Sequence, residues 1–296
     1  MEFKYKILSS VVLKNFLQQN QYSKKMISAI KRDGALIVNE VPVTVRKILE
    51  IGDILVVKLP DEQASENLLP DFQPLDVLFE DQYFIAVSKG KKQNCAPSRE
   101  HPHGSLIEQV MGYLKAQTAD TNVQPIPHIV TRLDRDTSGI VLFAKHGHLH
   151  HRIASTEMKK IYHCICKGKL EAPSKIIAPI TRAGDSIIER KVDRFGKYAA
   201  TSYKPVNISE QYTLCEVQLH TGRTHQIRVH FQYINHPLIG DGLYGGLHDF
   251  ADGQALACCS LSFKHPITHA QIEVRDDAKR KELDNLFQQL CKKIEM

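Results

Sequence analysis

Residues 128–145, HIVTRLDRDTSGIVLFAK, load two Arg, two Asp, two Thr and a Ser onto a stretch that then turns apolar. A charge-free apolar run bounded by turn residues reads as a buried strand. The charged residues must therefore sit at the edge of a core. Asp, Thr, Ser and Gly are also ordinary turn residues, so a solvated turn is the plain alternative. Asp134 stands between Arg132 and Arg135, and guanidinium neighbours favour an ionised carboxylate. Such a group suits a nucleophile or a base, and equally a structural ion pair.

A second segment, residues 219–245, reads LHTGRTHQIRVHFQYINHPLIGDGLYG. A strand ends there, Gly222 permits a tight turn, and a helix starts near Thr224. Ile227, Phe231 and Ile234 mark its apolar stripe. Arg223, His225 and Arg228 fall in the turn and first helical turn. Helix starts attract anions, so this segment can hold a phosphate or aim an arginine at the Asp134 loop. A capped, solvated helix start is the alternative.

The rest of the chain bounds the reading. With 296 residues, 24% charged and a net charge of +6, it is an ordinary globular composition that is mildly basic. Seven cysteines make no C-x-x-C pair, which suggests reduced thiols and a cytoplasmic protein. Neither a signal peptide nor a membrane-spanning run is legible. Residues 1–60 carry ten Lys/Arg against five Asp/Glu, whereas residues 61–80 carry six Asp/Glu and no Lys or Arg. That switch predicts a front domain over 1–60, an acidic linker over 61–74 containing Pro70 and Pro74, and a main domain over 75–296. In the front domain Ser23 is the expected N-cap and Gly34 the expected stop of a helix whose basic side carries Lys24, Lys25, Lys31 and Arg32. The main domain is expected to be α+β with a mostly antiparallel mixed sheet. Its elements include strands around an Asp81-Gln82 turn, a helix over 105–117 and a helix over 148–160.

Together, RLDRDTSG and, some 80 residues later, TGRTHQIRVH…HPLIGD…YG resemble the RluA-type pseudouridine synthases. The resemblance covers roughly residues 75–267 and extends to LSFKHPIT near the end. The front segment, SKKMISAIKRDGALIVNE with Arg46 and IGDILVV, resembles the small αL RNA-binding domain named after a ribosomal protein. The resemblance implies the pseudouridine synthase fold, an RNA partner (ribosomal RNA first, transfer RNA second) and an isomerase. No membrane partner, metal or small-molecule cofactor is implied. It makes Asp134 the catalytic aspartate and Arg228 its partner. Tyr162 packs against the uracil, and Arg132 enters the RNA where the nucleotide flips out. Lys24, Lys25, Lys31, Arg32 and Arg223 become RNA-binding residues, since phosphate contact needs charge density rather than a sequence code. Two positions depart from the family pattern: Thr131 stands where His is common, and Gly90 where Pro is expected.

Two rivals follow from the same residues. One is a protein of this fold that binds RNA without catalysis. The other is a metal-dependent hydrolase using HGHLHH at 146–151, although that tract lacks the Glu of H-E-x-x-H. RNA-facing or solvated histidines are the expectation there, and Cys258-Cys259 are expected in the core.

Overall fold

The apolar runs become strands, and their order sets where the polar loops meet. The computed structural model describes residues 1–62, 67–118, 125–184, 186–246 and 253–292. The front residues form β1 (Glu2–Lys6), β2 (Val11–Val12), α1 (Leu13–Gln19), α2 (Lys24–Asp33), β3 (Ala35–Val38), β4 (Val41–Pro42), β5 (Ile48–Leu49) and β6 (Ile54–Lys58). Four of these strands make a sheet in the order β1-β6-β3-β4, and β2 pairs with β5. Ser23 caps α2 as expected, its hydroxyl accepting from Met26 N at 3.0 Å. Gly34 ends the helix in extended rather than left-handed backbone. Glycine is needed there for closeness: a Cβ would collide with the carbonyl oxygen of Lys58.

The remainder supplies β7 (Val77–Glu80), β8 (Phe84–Lys89), α3 (Leu106–Ala116), β9 (His128–Ile129), β10 (Ser138–Ala144), α4 (Gly147–Ala154) and β11 (Met158–Lys167). It continues with β12 (Ser174–Ile177), β13 (Ile180–Arg182), β14 (Arg190–Val192), β15 (Ala200–Ile208), β16 (Tyr212–Leu219), α5 (Gln226–Tyr233), β17 (Leu256–Lys264), β18 (Gln271–Arg275) and α6 (Asp277–Lys292). A ten-stranded sheet runs β12-β15-β16-β11-β17-β10-β8-β7, with β18 on β17 and β9 on β10. Among its described pairings only β10 with β17 is parallel, so the fold is α+β and mostly antiparallel. The helix expected over 148–160 stops at Ala154, and Met158 opens β11. Ser155 and Thr156 end it by donating their hydroxyls to the carbonyls of Arg152 and Ile153.

All seven residues of β10 are buried, as the apolar run requires. Gly139 has φ 105°, and a Cβ there would strike the backbone of Cys258. That bare position lets β10 and β17 approach, with Gly139 opposite Cys258 and Cys258 opposite Tyr162. Three adjacent strands thus bring the end of the Asp134 loop level with Tyr162. Cys258 and Cys259 are in the core, and all seven cysteines are free thiols.

The front residues share one buried apolar cluster with the large sheet. Phe3 stacks on Tyr83 at 5.7 Å, and Tyr22 stacks on His148 at 4.2 Å. Burying each such ring stabilises by roughly 1.5–3 kcal/mol. Of the acidic segment, residues 63–66 lie outside the described residues. Glu62 on one side bonds His128 at 2.9 Å, and Asp71 on the other donates its N–H to Glu108 O at 2.9 Å. No helix among the described residues is long and apolar enough to cross a membrane.

Candidate active site

The Asp134 loop is tied down from below. Buried Lys89 donates to the carbonyls of Gly90 (2.7 Å), Gln93 (2.9 Å) and Arg135 (2.8 Å). Burial pushes this ammonium down to about 8. Thr131 accepts from Leu142 N at 2.9 Å, so the hydroxyl locks the loop to β10. Gln254 donates to Thr137 at 2.8 Å from the strand side. Arg132 and Arg135 are exposed, and Arg135 lies 3.7 Å from Asp136. The ion-pair partner of Asp134 is therefore Arg228, 94 positions away, rather than the two arginines flanking it in sequence. Exposed arginines keep their charge in water, whereas Arg228 is buried and needs carboxylates.

Helix α5 delivers Arg228. Its entry turn is closed by Gln226, which accepts from Thr221 (2.7 Å) and Arg223 N (2.9 Å) and donates to Ala200 O and Thr201. Of the expected apolar stripe Ile227 and Phe231 are buried, whereas Ile234 falls at the C-cap and is half-buried; every residue from Gln226 to Phe231 is buried as well. Burial all round brings Arg228 inside, at 8% exposure. It donates Nε and Nη2 to the two oxygens of Asp241 at 2.7 and 2.8 Å, and Nη1 to Oδ2 of Asp134 at 3.2 Å. Its guanidinium also lies 4.9 Å from the Tyr244 ring centroid. Burial opposes the arginine's charge, but the two carboxylates outweigh it and hold the group above its ordinary value.

Asp134, Arg132, Tyr162, His225, Arg228 and Arg223 line one cavity of about 430 Å³. Tyr162 sits on β11 at a bulge between Ile161 and Tyr162. Burial first, then Cys258 and Asp134, raises its phenol well above the ordinary value, so the ring is neutral at any working pH. Arg223 is anchored on the rim by donating Nε to Tyr198 O at 2.9 Å. Lys24, Lys25, Lys31 and Arg32 are exposed on α2 and lie outside the cavity lining. Asp241, Tyr244, Lys89 and Lys160 belong to the site or its support and were not singled out from sequence. The string GDGLYG contained two of them, but helical spacing assigns no role to residues beyond the helix.

The histidine tract corrects an expectation. His146 and His148 are buried rather than RNA-facing or solvated. His146 accepts at Nδ1 from His148 N, and its Nε2 lies 3.4 Å from Pro60 O. His148 lies under Tyr22. These two histidines thus face the front residues, whereas His150 is half-buried and His151 is exposed, as solvated histidines would be. Among the described residues no group of three or more His, Cys, Asp or Glu is placed to hold a metal ion.

The family described as RNA pseudouridylate synthase matches residues 83–233. The uncharacterized RNA pseudouridine synthase YjbO of Bacillus subtilis (strain 168) is 41% identical over 264 residues, 87% of this chain and 92% of that protein. Ribosomal large subunit pseudouridine synthase D of Yersinia pestis is 30% identical over 273 residues, 85% of this chain and 82% of that protein. Among solved structures, Human RNA Pseudouridylate Synthase Domain Containing 1 matches with a TM-score of 0.54 and 18% identity, covering 73% of this chain and 86% of that one. At that identity the match speaks for the fold. These likenesses define an RNA-modifying isomerase. The chain belongs to the RNA pseudouridylate synthase family, RluA type, and is a pseudouridine synthase.

Proposed function

We propose that this enzyme isomerises specific uridines in structured RNA, with ribosomal RNA the favoured substrate and transfer RNA the second. The observation that carries the reading is the Asp134 carboxylate held 3.2 Å from buried Arg228 in a cavity that Tyr162 also lines. A cavity of about 430 Å³ is in the range that holds a small ligand. A stacked uridine cannot reach it, so the nucleotide is flipped out at a cost of a few kcal/mol. Exposed Arg132 takes the place the base leaves in the RNA. The Asp134 anion then attacks the anomeric carbon, or takes the sugar's 2′ proton, and the glycosidic bond breaks. The neutral Tyr162 ring supports the freed uracil while it turns, and the base rejoins through carbon 5. The carbon 5 proton leaves and nitrogen 1 gains one, so atoms balance without a redox partner. Arg223 contacts phosphate at the rim. Residues 1–60 act as an αL-type RNA-binding domain, with Lys24, Lys25, Lys31 and Arg32 on the backbone. Ribosomal RNA is favoured because several relatives are named ribosomal large subunit pseudouridine synthase D. Seven free thiols fit a reducing, cytoplasmic setting.

The test is to map pseudouridine in ribosomal and transfer RNA from cells with and without this gene. Loss of one or more ribosomal sites, restored by the wild-type gene and not by Asp134→Asn, supports the reading. Loss confined to transfer RNA overturns the substrate assignment, and an unchanged map in both overturns the proposal.

A further inference from the structure

We propose that His225 is a positioning residue that decides which oxygen of Asp134 is free to react, an inference that rests on Asp134 being the reacting carboxylate. His225 is the N-cap of α5 and sits at φ 58° in the left-handed region. Non-glycine residues are uncommon there, and His is, with Asn and Asp, one of the polar types that take it. Such a backbone at a cavity wall is compatible with a use for the side chain, and the side chain's own contacts carry the case. That side chain is only 10% exposed.

Its partners fix its tautomer. Nδ1 lies 2.8 Å from the hydroxyl of Tyr244. The same hydroxyl accepts from Arg190 N at 2.9 Å. A backbone N–H can only donate, and Tyr244 is buried, so the hydroxyl's own hydrogen is satisfied by going to Nδ1. His225 then carries its hydrogen on Nε2. Burial lowers the imidazole's proton affinity, which keeps it neutral beside Arg228.

Nε2 faces Asp134 Oδ2 at 3.8 Å, and Nη1 of Arg228 is 3.2 Å from the same oxygen. At 3.8 Å the His225 contact is longer than a hydrogen bond; on this proposal it tightens when substrate binds, as catalytic contacts that are long in a free site do. One donor thus meets Oδ2 and a second faces it. Neither of these two groups meets Oδ1, which is therefore the oxygen offered to the sugar. A neutral donor orients the carboxylate without quenching its charge, which a second cation would do.

The test measures tritium release from carbon 5 of tritiated uridine in ribosomal RNA isolated from cells lacking this gene. His225→Gln sets an amide N–H near the place of Nε2, whereas His225→Asn sets it near Nδ1. The Gln variant should stay within about threefold of wild-type kcat, and the Asn variant should fall about thirtyfold at unchanged KM, the pattern of lost positioning. Tyr244→Phe keeps the ring under Arg228 but releases the tautomer, and kcat should fall about tenfold at unchanged KM. Thermal melting of each variant is read alongside, and if the Gln variant fails to fold, Tyr244→Phe decides. Equal kcat in the Gln and Asn variants, or wild-type kcat in Tyr244→Phe, overturns the assignment. Activity in Asp134→Asn would instead overturn the reading of Asp134 itself, so the two failures are separable.

Discussion

Arg228 grips Asp241 harder than it grips Asp134. Two of its nitrogens meet the Asp241 carboxylate at 2.7 and 2.8 Å, and a single one reaches Asp134 at 3.2 Å. Asp241 is 1% exposed and Asp134 belongs to a cavity, so the first pair is a fixture and the second is an action. The planar fork of arginine serves two carboxylates at fixed angles, which a lysine cannot do.

It follows that Arg228→Lys should fold poorly or turn over slowly despite keeping its charge. Asp241→Asn is the cleaner variant, because it keeps the shape and weakens the grip. A misplaced guanidinium should lower kcat by about a hundredfold in single-turnover assays, with RNA affinity unchanged. Wild-type turnover in Asp241→Asn would show that Asp241 does not orient Arg228.

The two aspartates of RLDRDTSG should separate sharply. Asp134 reaches Arg228, whereas Asp136 lies 3.7 Å from exposed Arg135. Asp134→Asn should lose about four or more orders of magnitude in rate while still binding RNA. Asp136→Asn should keep most of its rate, since a solvated pair contributes little. Equal losses would sink the assignment.

How much of this was legible beforehand depends on the kind of signal. Apolar runs such as GIVLFA gave their strands directly, because a charge-free run has one place to go. The partnership of Asp134 with Arg228 was implied by the family resemblance that the two motifs carry, not by spacing, which pointed to Arg132 and Arg135. Lys89 was invisible: it reads as one of several surface lysines until three carbonyls are seen around its ammonium. Asp241 fell past the end of a helical pattern. Within the histidine tract His148 misled, because local sequence carries no information about Phe3 and Tyr22, which come from more than 120 residues upstream and cover it; His151 is exposed as expected.

That buried His148 carries a pH prediction. Burial first, then Arg152, pushes it down to about 3. The unfolded chain protonates the same ring near 6.5. Below that pH the unfolded state gains a proton that the folded state refuses until about 3, so stability falls as pH drops across this window. His146 and His265 are lowered by burial too and act in the same direction. In His148→Phe the ring stays against Tyr22 and nothing titrates. Its Nε2 has no hydrogen-bond partner to lose. Melting temperature in that variant should match wild type at pH 7.5 and decline less on acidification. A decline as steep as wild type would mean the acid sensitivity lies elsewhere.

The last prediction concerns α2. Its Lys24, Lys25, Lys31 and Arg32 are exposed, while its Ile27 and Ile30 hold it to the front sheet. Charge can therefore be removed without touching the core. Removing residues 1–70 cannot test the same thing, because it would strip Phe3 from Tyr83 and Tyr22 from His148 and open the apolar cluster that they share. Replacing all four cations by Gln should weaken binding to ribosomal RNA. Each lost phosphate contact should reduce the salt slope of log K by roughly 0.7–0.9. Arg32 already pairs with Asp33 at 2.8 Å, so its share should be smaller than a free lysine's. Turnover at saturating RNA should be unchanged, since these residues lie outside the cavity lining. An unaltered affinity and an unaltered salt slope in the fourfold variant would mean that α2 does not touch RNA, and that the front residues serve the enzyme only through their packing on Tyr83 and His148.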